Sequence, residues 1–146
     1  FLAPLAAAGS TRLPDGLRAY LRETRLPGTA VVLSDFLVPA DDYATALDAL
    51  RGHGYDVAAI RIVGPAERDA ASLPRRLRLR DAETGAVRDV ELTDALRRRY
   101  ADAVTDHLDA LRAWCAARAI VCAAANTATG LAGSLLQDLP RAGLLQ

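Results

Sequence analysis

The chain has little of what metal and redox sites are usually built from. Its 146 residues include two cysteines and two histidines. Cys115 and Cys122 do not form a Cys-x-x-Cys arrangement, so structural zinc and dithiol redox chemistry have no ligand spacing behind them. Two such thiols fit a reduced compartment, and a cytoplasmic location is expected. Net charge is absent too. The 18 basic and 18 acidic side chains balance, which argues against a general nucleic-acid or anionic-membrane surface. No apolar run approaches the roughly 18 residues needed to span a bilayer. Without a Gly-x-Gly-x-x-Gly, a Walker A or a Gly-x-Ser-x-Gly sequence, dinucleotide, ATP and nucleophile-elbow readings have no motif. The opening Phe-Leu-Ala-Pro-Leu-Ala-Ala-Ala-Gly-Ser resembles the end of a signal peptide but lacks a basic start and a Met. A chain that begins at Phe1 fits a piece of something longer.

What is present is a core. Hydrophobic residues make up 51% of the chain and charged residues 25%, as in an ordinary globular domain of this length. The stretch Thr29–Phe36, Thr-Ala-Val-Val-Leu-Ser-Asp-Phe, reads as a buried central strand whose last residues are polar. An apolar run that ends in Ser-Asp before a Pro and a helical pattern is expected of a parallel strand delivering a side chain to the carboxyl edge of its sheet.

The flanking segments supply its neighbours. Leu13, Leu17, Tyr20 and Leu21 form an apolar stripe over 13–24, with Pro14 suited to a first turn. A second helix is expected over about 41–52, opened by Asp41 and Asp42 and buried through Tyr43, Ala46, Leu47 and Leu50. Gly52-His53-Gly54 ends it. Residues 56–63 form another nearly continuous apolar run, interrupted by Arg61, so strand, helix and strand make a βαβ unit. From Arg76 the period becomes two. Leu77 and Leu79 alternate with arginines, and Val90 and Leu92 with acids, around Glu83-Thr84-Gly85. This is a half-exposed hairpin with cations opposite anions, and Gly85 is free to adopt a positive φ. Thr93 or Asp94 caps the longest helix, which runs to about Arg118, near 37 Å at the usual rise. Residues 119–125 read as a last buried strand, Asn126–Gly130 as a polar loop, and Leu131, Leu135 and Leu139 as a final helix.

With parallel strands, Asp35, Gly64 and Asn126–Thr129 reach the same sheet edge, where open α/β sheets bind ligands. Ser34, Asp35, Asn126, Thr127 and Thr129 are the candidate crevice residues, and their oxygens suit a hard cation such as Mg²⁺. The plainer reading, which is preferred, is that Asp35 accepts N–H bonds within its own loop and the threonines cap the last helix. His107 is expected partly buried on the long helix and His53 at a helix end; neither reads as a catalytic base. Arg76, Arg78, Arg80 and Arg98 form a basic surface that could meet an acidic partner. Interleaved acids and missing aromatics argue against base stacking there, and a solvated face is the plainer reading.

The order of these stretches carries a resemblance. Val31-Val32-Leu33-Ser34-Asp35-Phe36-Leu37 is followed by Asp41-Asp42-Tyr43, then by Gly54-Tyr55-Asp56-Val57-Ala58-Ala59-Ile60-Arg61-Ile62 and the loop residues Gly64-Pro65-Ala66-Glu67. The hairpin Leu77-Arg78-Leu79-Arg80-Asp81-Ala82-Glu83-Thr84-Gly85 and the tract Leu96-Arg97-Arg98-Arg99-Tyr100 complete the pattern. Together they resemble the bacterial DUF58 family, whose proteins carry a von Willebrand factor A-like domain. The resemblance covers about residues 10–145, including a closing segment, Thr127–Leu145, like that family's C-terminal end. It implies a doubly wound, Rossmann-like sheet. Related A domains hold a divalent metal through an Asp-x-Ser-x-Ser loop, a Thr and an Asp; Asp35 matches only the last. The resemblance thus implies a single domain over 1–146 that corresponds to the C-terminal part of an A-like domain. Its first strand and metal loop would lie upstream, and Mg²⁺ would bind only if that loop were supplied. It also implies work beside a MoxR-type AAA+ ATPase.

The fold expected is therefore α/β, a partial doubly wound and mainly parallel sheet with flanking helices and an added β-hairpin. The function expected is a non-enzymatic interaction or adaptor module whose partner is another protein or a second copy of itself, with no cofactor in this chain. The rivals are a small α/β enzyme using the crevice near Asp35 and a purely structural subunit. A partial sheet exposes an edge and an apolar face, so an oligomer is expected.

Overall fold

The structure, a computed structural model, describes residues 12–24, 26–64, 72–81 and 84–129. The expected final helix from Leu131, the loop at Pro65–Glu67 and part of the hairpin turn lie outside them. Helix α1 (Leu13–Glu23) opens on Pro14, with Asp15 in its first turn. Strand β1 (Thr29–Ser34), helix α2 (Ala40–Gly52) and strand β2 (Asp56–Val63) follow. Strands β3 (Arg76–Arg80) and β4 (Val87–Glu91) form the hairpin. Helix α3 (Asp94–Ala116) and strand β5 (Val121–Asn126) come next, followed by a short 3₁₀ turn, Thr127–Thr129. The architecture is α/β, as the sequence pattern predicts.

β1, β2 and β5 form a three-stranded sheet in the order β1-β2-β5. All pairings in it are parallel, with Thr29 opposite Asp56, Ser34 opposite Arg61, Ala58 opposite Val121 and Val63 opposite Asn126. This corrects one expectation. The central strand among the described residues is β2, and β1 lies at an edge. The burial explains the difference: Val57–Arg61 and Val63 are buried, whereas β1 buries Val32 alone. A strand that is apolar on both faces needs cover on both, and β2 has it.

Alternation divides the sheet into two faces. Val32, Val57, Ala59 and Cys122 lie on one, against Leu21 of α1, Tyr43, Leu47 and Leu50 of α2, and Leu111 and Cys115 of α3. The described helices thus share one face. Ile60 and Ala123, with Ile62 and Ala125 beside them, make a separate apolar cluster on the other. Val31 and Leu33 extend that second face towards the β1 edge, where they are 51% and 63% exposed.

Local chemistry sets the ends of the elements. Thr93 Oγ1 accepts the Leu96 N–H at 3.2 Å and caps α3. His53 caps the end of α2, its N–H and its Nδ1 both meeting the Ala49 carbonyl. Gly54 then turns the chain with φ of 84°, and a Cβ there would come within 3.3 Å of Pro27, so glycine serves both the turn and the close approach. The far end of α3 is tied to α2 through Arg118, which stacks on Trp114 at 4.0 Å and pairs with Asp48 at 3.3 Å. Trp114 in turn meets Tyr43 edge-on, ring centres 5.8 Å apart.

The two thiols meet where α3 leads into β5. The hydrogen bond from Cys115 lowers Cys122 to about 7, with the Arg112 charge assisting. The same bond and burial push Cys115 up. Cys115 is fully buried and Cys122 partly exposed. Iodoacetamide should therefore alkylate Cys122 with a rate that rises through a midpoint near pH 7, and leave Cys115 untouched. Mass spectrometry of the labelled peptides reads both. Equal labelling of the two, or a midpoint at the ordinary thiol value, would contradict this arrangement.

Candidate functional site

The carboxyl ends of three parallel strands bring Ser34, Asp35, Gly64, Asn126 and Thr127 to one edge of the sheet, because parallel register points all the ends one way. Thr129 lies in the turn that follows β5. β2 runs further than β1, so Arg61 stands opposite Ser34 and Asn126 stands opposite Val63.

Each polar group at this edge is engaged locally. Asp35 Oδ1 accepts the Leu37 N–H at 3.0 Å. Ser34 Oγ accepts the Phe36 N–H at 3.0 Å. These are side-chain turns that close the loop after β1. Asn126 Oδ1 accepts the Ala128 N–H at 2.9 Å, and Thr127 Oγ1 donates to the Val63 carbonyl at 3.3 Å. The same four side chains that offer oxygens to a ligand are thus the ones that shape the two loops.

Two residues that hold this edge together carry no functional signal in the sequence. Arg61 is buried on the helix-covered face and donates from Nε to the Asp35 carbonyl at 3.2 Å. A lone charge inside an apolar strand was the only hint of it. Phe36 is fully buried and has a positive φ of 55°. Its carbonyl meets His107 Nε2 at 2.6 Å. A carbonyl can only accept, so Nε2 carries the proton. His107 also meets the edge of Tyr43, ring centres 6.0 Å apart, and Phe36 packs edge-on to the same ring at 6.5 Å. Burial, with help from Cys115 and Asp41, raises the Tyr43 phenol. His107 therefore works as a half-buried strut between α3 and the β1 loop, occupied by a backbone carbonyl.

Among the described residues, the donors at this edge fall short of the set a Mg²⁺ ion takes. Asp35 is the one carboxylate among the edge residues, and the hydroxyls beside it are committed to the backbone. A small hard cation takes one or two carboxylates with the rest of an octahedron of oxygens. Among the described residues, no group of three or more His, Cys, Asp or Glu is placed to hold a metal.

The basic residues lie apart from this edge. Arg76, Arg78 and Arg80 project from one face of β3, and Arg98 is exposed near the start of α3. Arg78 is bidentate to Asp89 across the hairpin, Nε–Oδ1 2.8 Å and Nη2–Oδ2 3.1 Å, which holds the Asp89 carboxyl below its usual range. Arg75 pairs with Glu91 at 3.1 Å. The expected opposition of cations and anions is therefore present.

The family model described as "Protein of unknown function DUF58" matches residues 3–110. The chain belongs to the DUF58 family. The match runs from before α1 into α3, so it includes β1 and its loop, β2 and the hairpin, and ends before Cys115 and β5. The closing segment Thr127–Leu145 lies beyond the matched residues. No curated protein and no solved structure matches the chain. Among the described residues, no helix is long and apolar enough to cross a membrane.

A substitution pair separates loop closure from metal binding at Asp35. Asp35→Asn keeps an acceptor and should leave stability within about 0.5 kcal/mol, whereas Asp35→Ala should lose about 0.5–1.5 kcal/mol. Urea denaturation reads both. Mg²⁺ calorimetry should give no saturable heat with this chain; a heat abolished by both substitutions would overturn the loop assignment.

Proposed function

We propose that this DUF58 chain is a non-enzymatic interaction module, an adaptor whose working surfaces are the open edges of its strands. The observation that carries the reading is β1. Among the described residues it lies at the edge of an all-parallel sheet. Its sequence, Thr-Ala-Val-Val-Leu-Ser, contains no charge and no proline. Edge strands that stay solitary are usually blunted by charge, proline, a bulge or cover. β1 instead leaves Val31 51% and Leu33 63% exposed beside the half-exposed Leu37.

Strand pairing at this edge would satisfy the outward backbone groups and cover Val31 and Leu33 together. A second copy offers the same uncharged edge, so two β1 strands related by a twofold axis meet with no charge conflict. The local engagement of Ser34, Asp35, Asn126 and Thr127 supports a scaffold at the sheet's carboxyl edge in preference to a reaction centre. A MoxR-type AAA+ ATPase is the partner the family resemblance implies, and a cytoplasmic setting accords with two unpaired thiols.

Light scattering of the chain against Leu33→Lys tests the reading. Leu33 is mostly exposed, so the substitution leaves the core intact. The parent chain should self-associate with a mass that rises with concentration, and Leu33→Lys should remain monomeric across the same range. A monomeric parent, or an association unmoved by the lysine, would count against the proposal.

A further inference from the structure

The hairpin presents a second open edge of different chemistry. β3 and β4 pair with each other in an antiparallel ladder, Arg76 opposite Glu91 and Arg80 opposite Val87. The bonds that flank the ladder fix its phase. Leu92 N–H donates to the Arg75 carbonyl at 2.7 Å, and Asp81 N–H to the Ala86 carbonyl at 2.8 Å. Antiparallel ladder bonds recur at every second residue. Leu77 and Leu79 therefore bond inward to β4, and the N–H and C=O groups of Arg76, Arg78 and Arg80 point outward along the free edge of β3.

Side chains sort on the same period. Arg76, Arg78 and Arg80 share one face of the ribbon, and Leu77 and Leu79 share the other with Val90. Arg78 is held by Asp89, but Arg76 and Arg80 are exposed and, among the described residues, make no side-chain hydrogen bond or ion pair. Leu79 is 50% exposed. An open hollow of about 570 Å³ lies at one end of the ribbon, lined by Arg76, Leu77, Arg78, Asp89, Val90 and Glu91. A ribbon of two strands is marginal alone and gains from a third, and among the described residues the two strands pack chiefly on each other.

We propose that the outer edge of β3 takes up an extended segment of a partner protein in which carboxylates alternate with apolar side chains. Strand addition supplies main-chain hydrogen bonds, and alternate side chains supply selectivity. A segment with a period of two sets its carboxylates beside Arg76 and Arg80 and its apolar residues beside Leu77 and Leu79 in a single register. The arginines act as a filter as well as a ligand. They repel basic strands and keep a bare apolar strand from adding, which is how charged edges avoid indiscriminate pairing. Cross-strand pairs of opposite charge are favourable, and like charges directly opposite are not. An elongated polyanion such as DNA would find the guanidiniums but nothing for the leucine face. The proposal rests on reading the chain as an interaction module, but it uses an edge separate from β1.

The test is fluorescence anisotropy with a labelled peptide in which Glu and Val alternate. Three probes accompany it: a scrambled peptide of the same composition, a peptide alternating Lys and Val, and a single-stranded oligonucleotide. The alternating acidic peptide should saturate the chain and bind about tenfold or more tightly than its scramble. The double variant Arg76→Glu/Arg80→Glu should weaken it by about tenfold or more and gain affinity for the Lys peptide instead. Both residues are exposed, and circular dichroism verifies that the variant is folded; Arg76→Gln/Arg80→Gln should fall between the two. Equal binding of the scramble would mean unspecific charge attraction and would overturn the proposal. So would absence of saturable binding, tighter binding of the oligonucleotide, or indifference to charge reversal. Leu33→Lys should bind the peptide as the parent does, so failure at β1 and failure at β3 are read separately.

Discussion

A parallel sheet has no face suited to water and no edge that is content without a neighbour, and this constraint organises the molecule. β2 meets it fully, with strands on both sides and apolar neighbours on both faces. β1 meets it on one face only. Its Val32 sits under the helices, while Val31 and Leu33 remain exposed on the other side. The helices are there to satisfy the inner face: α1 packs on α2, and Leu111 and Cys115 bring α3 onto the same layer. Among the described strands, what the fold leaves unsatisfied includes the outer edge of β1 with Val31 and Leu33 exposed, and the proposed function follows from that unmet pairing.

At the carboxyl edge of the sheet, the polar side chains that offer oxygens to a ligand also shape the loops. Polar side chains at strand ends are needed to stop the strand and turn the chain, because buried backbone groups must find partners. Ser34 and Asp35 do this for β1, and Asn126 and Thr127 for β5. Arg61 and His107 then bond the carbonyls of Asp35 and Phe36. Those bonds lock the loop to β2 and to α3, and they let Phe36 keep a left-handed backbone that a bulky residue rarely adopts. The result is a cross-linked loop beside an edge that is open among the described residues.

Much of this was legible in the residues. Asp56–Val63 could be read as a strand to the residue, since an apolar run that long and that bounded has no other easy home. The hairpin announced itself by its change of period, and Gly85 does take a positive φ, 72°. The bond that Asp35 accepts from its own loop is the plainer of the two readings its position allows. The order of the strands is not legible in the residues: hydrophobic pattern tells which strands are buried but not which one lies in the middle, so it points to β1 as central where the structure has β2. Nor was the His107 contact, which joins positions 71 residues apart and depends on helix placement that no local pattern encodes. Arg61 reads as an interruption, because the carbonyl that receives it belongs to the loop after another strand.

Amide hydrogen exchange followed as a function of protein concentration tests the central claim most directly. Backbone groups on the open edge of β1 exchange through solvent while the edge is bare and become protected once another strand covers them. Protection within Thr29–Ser34 should be low in dilute solution and rise with concentration, while β2 amides stay protected throughout. Protection of β1 that is already complete in dilute solution, or that never rises, would contradict an edge built for pairing.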